Sequence, residues 1–150
     1  MKPVEHSSAS RPAPRWRVLL VDDHAQLRQL LRTALSVHGF EVVEASTSTA
    51  ALEHVQTPPA AIVLDLQHAA DGYELLRRLR NRAHLRRVPI LLVCGDATDE
   101  FRRRALSAGA DFFSRRPLSM LQLQRAVREL VQSGRSPTPI LAAPSSLRAS

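Results

Sequence analysis

The chain predicts an α/β fold in which a five-stranded parallel sheet is wound on both faces by helices. Three observations carry this. Short aliphatic runs recur, at residues 18–21, 61–64 and 88–93. They are continuous rather than alternating, as strands buried on both faces require. Longer stretches with apolar residues at helical spacing lie between them. The alternation repeats five times within residues 16–133, a length that suits an open, doubly wound sheet built from right-handed crossovers.

The elements follow in order. Val18, Leu19, Leu20 and Val21 form a first strand that stops at Asp22 and Asp23. Leu27, Leu30, Leu31, Ala34, Leu35 and His38 share one helical face, and Gly39 ends it. Residues 40–43 are a second strand. Ala50, Ala51, Leu52 and Val55 make a short helix that Pro58 and Pro59 terminate. Ala61, Ile62, Val63 and Leu64 form a third strand, stopping at Asp65. Tyr73, Leu75, Leu76 and Leu79 line a third helix, and residues 88–93 a fourth strand. Phe101, Ala105 and Ala108 line a fourth helix that ends at Gly109. Phe112 and Phe113 are a short fifth strand before Pro117, and Leu121, Leu123, Ala126, Val127 and Leu130 form the last helix. Five such units suit the flavodoxin-like strand order 2-1-3-4-5. Trp16 is expected to pack at the edge of the first strand.

Composition narrows the function classes. Of 150 residues, 44% are hydrophobic and 23% charged, which suits one globular domain. Aromatics are 4%, so the core must be aliphatic. The single cysteine, Cys94, excludes an intramolecular disulfide and argues against a cysteine zinc site. No apolar run approaches the roughly 18 residues that span a bilayer, and the N-terminus lacks the apolar stretch of a signal peptide. A reducing, cytoplasmic setting is expected. Residues 1–15 and 134–150 are rich in Pro and Ser and are expected to be disordered tails. The tail after Ser133 is too short for a helix-turn-helix module, which predicts a stand-alone domain acting by protein–protein contact.

The chain carries 21 Lys+Arg against 14 Asp+Glu. Lys2 is the only lysine, and part of the excess lies in the tails. Between them 16 basic residues face 13 acidic ones. This modest bias does not require a nucleic-acid partner.

In a sheet of this order, ligands bind beyond the carboxyl ends of the strands, where the order reverses between the first and third. Asp22 and Asp23 end one of these strands and Asp65 the other. Carboxylates brought together repel unless a cation joins them. Mg²⁺ takes oxygen ligands and is typically held by one or two carboxylates plus a phosphate. The acids therefore point first to a divalent cation and then to phosphoryl chemistry. Helix N-capping accounts for one of these acids, but not for two in a row and a third at another strand end.

Residues 18–23 (Val-Leu-Leu-Val-Asp-Asp), then Ile62, Val63, Leu64 and Asp65 with Asp71 and Gly72 following, then Gly109, Ala110 and Asp111 ahead of Arg116 and Pro117, together resemble the receiver domain of bacterial response regulators. The resemblance covers residues 16–133. It implies that Asp65 is the phosphoacceptor, attacking a phosphohistidine on a sensor histidine kinase or phosphotransfer protein. It also implies that Asp22, Asp23, Asp65 and the backbone carbonyl of Gln67 hold Mg²⁺.

Two positions depart from the family pattern. Cys94 stands where a Thr or Ser ends the fourth strand, and a thiol is a weak donor. Arg116 stands in place of the lysine before proline. It keeps the charge but is larger and forked, suited to pairing with Asp65 or to holding a phosphoryl oxygen. The aromatic switch position is Phe113, which has no hydroxyl.

Arg102, Arg103, Arg104, Arg115, Arg125 and Arg128 are expected to share the family's output face and to favour an acidic protein target. Arg77, Arg78, Arg80, Arg82, Arg86 and Arg87 read as a solvated cluster. His24, His38, His54, His68 and His84 show no ligand spacing and read as surface or packing residues. A homodimer is compatible with this reading. Three functions follow in order of preference: phosphotransfer signalling, a degenerate receiver that binds a partner without phosphate, and nucleic-acid binding through the arginines. The last lacks interleaved aromatics and a reading helix.

Overall fold

The computed structural model describes residues 15–95, 98–115 and 119–132. Both tails, apart from Arg15, and the Arg116-Pro117 step lie outside the described residues. The chain runs β1 (Arg17–Asp22), α1 (Ala25–Val37), β2 (Glu41–Ala45), α2 (Ser48–Glu53), β3 (Ala61–Asp65), α3 (Ala69–Arg80), a 3₁₀ turn (Ala83–Leu85), β4 (Ile90–Cys94), α4 (Asp99–Ala108), β5 (Phe112–Arg115) and α5 (Met120–Gln132). All strand pairings are parallel and the order is β2-β1-β3-β4-β5, as the sequence predicts.

The continuous aliphatic strands divide their residues between two cores. Leu19, Val21, Ile62, Leu64, Ile90 and Leu92 pack on one face against α2, α3 and α4. Val18, Leu20, Val63, Leu91 and Val93 pack on the other, against Leu31, Leu35, Leu123 and Val127 of α1 and α5. Burying each such side chain is worth about 1.5–3 kcal/mol, so the sheet is held from both sides. No described helix is long and apolar enough to cross a membrane.

Element boundaries shift where hydrophobicity and pairing disagree. β2 begins at Glu41, not Phe40, because the register pairs Arg17 with Glu41. As an edge strand it tolerates Glu41 and Glu44 within it. Phe40 is buried just ahead of β2, and Trp16, 40% exposed, stacks over it at 6.4 Å. β4 begins at Ile90 because Pro89 has no N–H to give the ladder. The Pro89 carbonyl still accepts from the Ile62 N–H at 3.0 Å.

The lower edge of the sheet, where β4 and β5 begin, is stapled by one arginine. Arg80 was expected to be solvated with its neighbours. Instead it folds back and donates to the carbonyls of Gly109 (2.8 Å), Leu85 (2.9 Å) and Val88 (2.7 Å), and to Asp111 Oδ2 (2.6 Å). The same Asp111 oxygen accepts the Ile90 N–H at 2.8 Å. A guanidinium can satisfy several carbonyls at once because its donors form a rigid fork. Gly109 makes the approach feasible: it has φ +115°, and a Cβ there would lie 2.5 Å from Arg80 Cγ.

Candidate functional site

Asp22 and Asp65 are register partners at the carboxyl ends of β1 and β3. Both are buried, at 1% and 4% exposure. Asp23 follows on the β1–α1 loop, and its two carboxylate oxygens accept the Gln67 backbone N–H at 3.2 and 3.1 Å. The loop after β3 is thereby tied to the loop after β1. The strand order places Asp22 beside Asp65, 43 positions away in the chain.

Neither acid of the pair Asp22-Asp23 caps a helix. The cap of α1 is His24, whose Nδ1 accepts the Leu27 N–H at 3.1 Å. The His24 backbone N–H in turn donates to Asp22 Oδ1 at 2.8 Å. His24 thus has a definite structural role that its exposed setting conceals in the sequence. Its signal is position: a polar side chain immediately before the apolar periodicity of α1.

The other oxygen, Asp22 Oδ2, is buried and has no hydrogen-bond partner among the described residues. Burial is the largest influence on this carboxyl, and the charges of Asp65 and Asp23 add to it. The His24 N–H opposes them, and the net effect raises Asp22 to about 6. A buried carboxylate oxygen without a donor is costly, and a cation relieves that cost. The donors are all oxygen, which suits a hard divalent ion. Among the described residues no three His, Cys, Asp or Glu side chains close into a tight cluster, and Asp23 is engaged by the Gln67 amide. The contact recorded from Gln67 is this N–H, not its carbonyl.

Arg28, a residue the sequence reading passed over, braces the pocket from behind. It donates to the Asp22 carbonyl at 2.8 Å and to Glu44 Oε1 at 2.9 Å. Arg32 also reaches Glu44, at 3.1 Å. The end of β1 is therefore held by its backbone, while its side chain stays directed at the pocket's electrostatics.

The chain's residues 18–128 match the family model of the response regulator receiver domain. The chain belongs to the response regulator receiver family. Receiver domains are signalling modules of two-component systems, for which phosphorylation and Mg²⁺ are general features. The chain is 34% identical to "Probable transcriptional regulator ycf27" of Cyanophora paradoxa over 81% of its own length and 51% of that protein's. It spans about half the length of the curated relatives it matches. Among solved structures, the receiver domain of NarL from Mycobacterium tuberculosis is 27% identical with a TM-score of 0.71, covering 80% of this chain and 98% of that one. The receiver domain of the sensor histidine kinase PA1611 from Pseudomonas aeruginosa is 25% identical with a TM-score of 0.71, covering 79% and 99%. That structure carries a magnesium ion coordinated in its active-site cleft.

Cys94 and the switch position Phe113 are both buried. Cys94, at the end of β4, donates its thiol to the Ser114 carbonyl at 3.5 Å. Phe113 is turned inward, edge-on to Phe101 with centroids 6.0 Å apart. Arg116 lies outside the described residues.

The six arginines expected on one face are divided. Arg102 lies over the Phe113 ring at 5.4 Å, and Arg104 over the Tyr73 ring at 4.5 Å. Arg103 and Arg125 are exposed and Arg115 is half-buried. Arg128 is half-buried and covers the Phe40 ring at 5.8 Å. Arg125 and Arg128, three residues apart, lie only about 60° apart around α5, so the difference comes from the ring of Phe40, which gives the Arg128 guanidinium a favourable seat.

Proposed function

We propose that this receiver accepts a phosphoryl group on Asp65 from a phosphohistidine of a sensor histidine kinase or phosphotransfer protein. The observation that carries the proposal is the side-by-side placement of Asp22 and Asp65, with an unsatisfied buried oxygen between the strand ends. An Asp65 carboxylate oxygen forms the new bond to phosphorus as the phosphorus–nitrogen bond breaks. The imidazole leaves with the bonding pair and recovers a proton. The product is an acyl phosphate on Asp65.

Asp22, Asp23, Asp65 and the Gln67 carbonyl would hold Mg²⁺, which when bound neutralises charge on the acids and on the transferring group. The protein's own residues position the nucleophile. β3 fixes Asp65 beside β1, Arg28 anchors the end of β1, and Asp23 holds the β3–α3 loop through Gln67. Arg116 would hold a phosphoryl oxygen or pair with Asp65. The Cys94 thiol is a weaker donor than a hydroxyl, so it would restrain the phosphorylated state less tightly.

The output is protein–protein contact, with Arg102, Arg103, Arg115 and Arg125 favouring an acidic partner. Arg102 has its guanidinium seated on Phe113. A cytoplasmic setting is part of the same reading.

Incubation of the chain with phosphoramidate and Mg²⁺, followed by intact-mass measurement, tests the proposal. One phosphoryl increment is expected, abolished by chelator and by Asp65→Asn. No increment, or one that survives Asp65→Asn, contradicts it.

A further inference from the structure

Three aromatic side chains from three elements form one continuous row. Tyr73, 4% exposed on α3, has its ring centroid 5.5 Å from that of Phe101 on α4. Phe101 in turn lies 6.0 Å from Phe113 on β5, edge to face. Both ends of the row are covered by guanidinium groups of α4 itself: Arg104 over Tyr73 and Arg102 over Phe113. α4 therefore inserts one ring between two others and folds an arginine back over each. These contacts are directional, unlike general apolar burial, so a tilt of one ring changes the geometry of the next.

The Tyr73 end of the row is tied to the acid pocket. Asp65 ends β3, Gln67 is bonded to Asp23, and His68 begins α3, so Tyr73 stands in the second turn of the helix that leaves the pocket. Gly72, its neighbour, is pressed against β4, where a Cβ would lie 3.3 Å from Leu92 Cδ1. α3 packs closely on the sheet at this point, and Tyr73 follows directly on this contact. Burial raises the Tyr73 phenol above its usual range, Arg104 pulls it back, and the charges of Cys94 and Glu100 raise it. The ring's polar end thus lies within electrostatic reach of the end of β4 and the first turn of α4.

We infer that Tyr73 is a positioning residue, and that the row Tyr73–Phe101–Phe113 couples the Asp65 loop to α4 and β5. The inference rests on Asp65 being the phosphoryl site. It gives this receiver a path to its α4 surface that uses neither a hydroxyl at position 94 nor one at position 113.

The test uses the full chain, beryllofluoride with Mg²⁺ as the phosphoryl mimic, and backbone amide NMR shifts read at two places. Shifts at Asp65 and Gln67 report the pocket; shifts at Phe101, Arg104 and Phe113 report the row. In the native chain both sets are expected to move. In Tyr73→Leu the pocket set still moves and the row set is lost, while Tyr73→Phe restores it. Arg104→Gln, a surface change that leaves the core side chains in place, weakens the row response and keeps the test decisive where Tyr73→Leu fails to fold. A row response undiminished in both Tyr73→Leu and Arg104→Gln overturns the inference. So does a native chain whose pocket responds while α4 does not. A native chain whose pocket is silent overturns the phosphoryl reading itself, and the coupling falls with it.

Discussion

The two ends of the sheet treat an aspartate in opposite ways. At the lower end, Asp111 shares one oxygen between Arg80 and the Ile90 N–H. At the upper end, Asp22 has one oxygen on the His24 N–H and the other on nothing among the described residues. The first arrangement is closed: charge, donors and geometry are matched, and it joins the α3–β4 and α4–β5 connections. The second is open, and its acid neighbours make it more so. An aspartate whose partners come from the chain serves stability. One whose partners are withheld is poised for a ligand, and the fold carries the cost.

Substitutions that open the lower end should be the most damaging. Arg80→Ala removes the charge facing Asp111 and four carbonyl contacts, to Gly109, Leu85, Arg86 and Val88. It should cost about 3–5 kcal/mol in urea unfolding, with Mg²⁺ binding retained in the protein that remains folded. Loss of Mg²⁺ binding at matched stability would show that the two ends are not separable.

The upper end should show its cost as a pH dependence. Asp22 titrates near 6 in the folded chain against an ordinary carboxylate value of 3.8. The folded state therefore binds the proton more tightly than the unfolded state. Its stabilising contribution is complete below about pH 4 and is lost as pH rises through about 6. In chelator this removes up to about 3 kcal/mol between those limits. Asp22→Asn should flatten that part of the profile and be more stable than the native chain at pH 7. A native chain that gains stability from Asp22 over this interval would contradict the open-pocket account.

Smaller effects sharpen the contrast. Gly109→Ala forces a left-handed backbone on alanine and pushes a methyl group into the Arg80 stem, at a cost of about 2 kcal/mol. Cys94→Ser keeps a donor for the Ser114 carbonyl and should change the urea midpoint by less than about 1 kcal/mol. A larger loss would show that the buried thiol packs in the core in a way a hydroxyl cannot replace.

The upper end was legible in the sequence and the lower end was not, for physical reasons. Aliphatic runs ending in acids are local signals, and strand order makes Asp22 and Asp65 register partners. Arg80 stands among Arg77, Arg78, Arg82, Arg86 and Arg87, and nothing local separates it from them. Its distinction depends on Gly109 and Asp111, about thirty residues away, and on a backbone approach that only the folded chain displays. The arginine seats on Tyr73, Phe113 and Phe40 are long-range in the same way, so an output face read from composition came apart at Arg128. The start of β2 was misjudged because an edge strand is set by pairing register more than by apolar content.

The central claim is that the strand-end acids form a pocket completed by a divalent cation. Thermal unfolding of the native chain and of Asp22→Asn, each titrated with Mg²⁺ at pH 7, tests it most directly. The account predicts that Mg²⁺ raises the native melting temperature progressively through the millimolar range. It predicts that Asp22→Asn starts higher and no longer responds. A native chain indifferent to Mg²⁺, or an Asp22→Asn chain that responds equally, would contradict it.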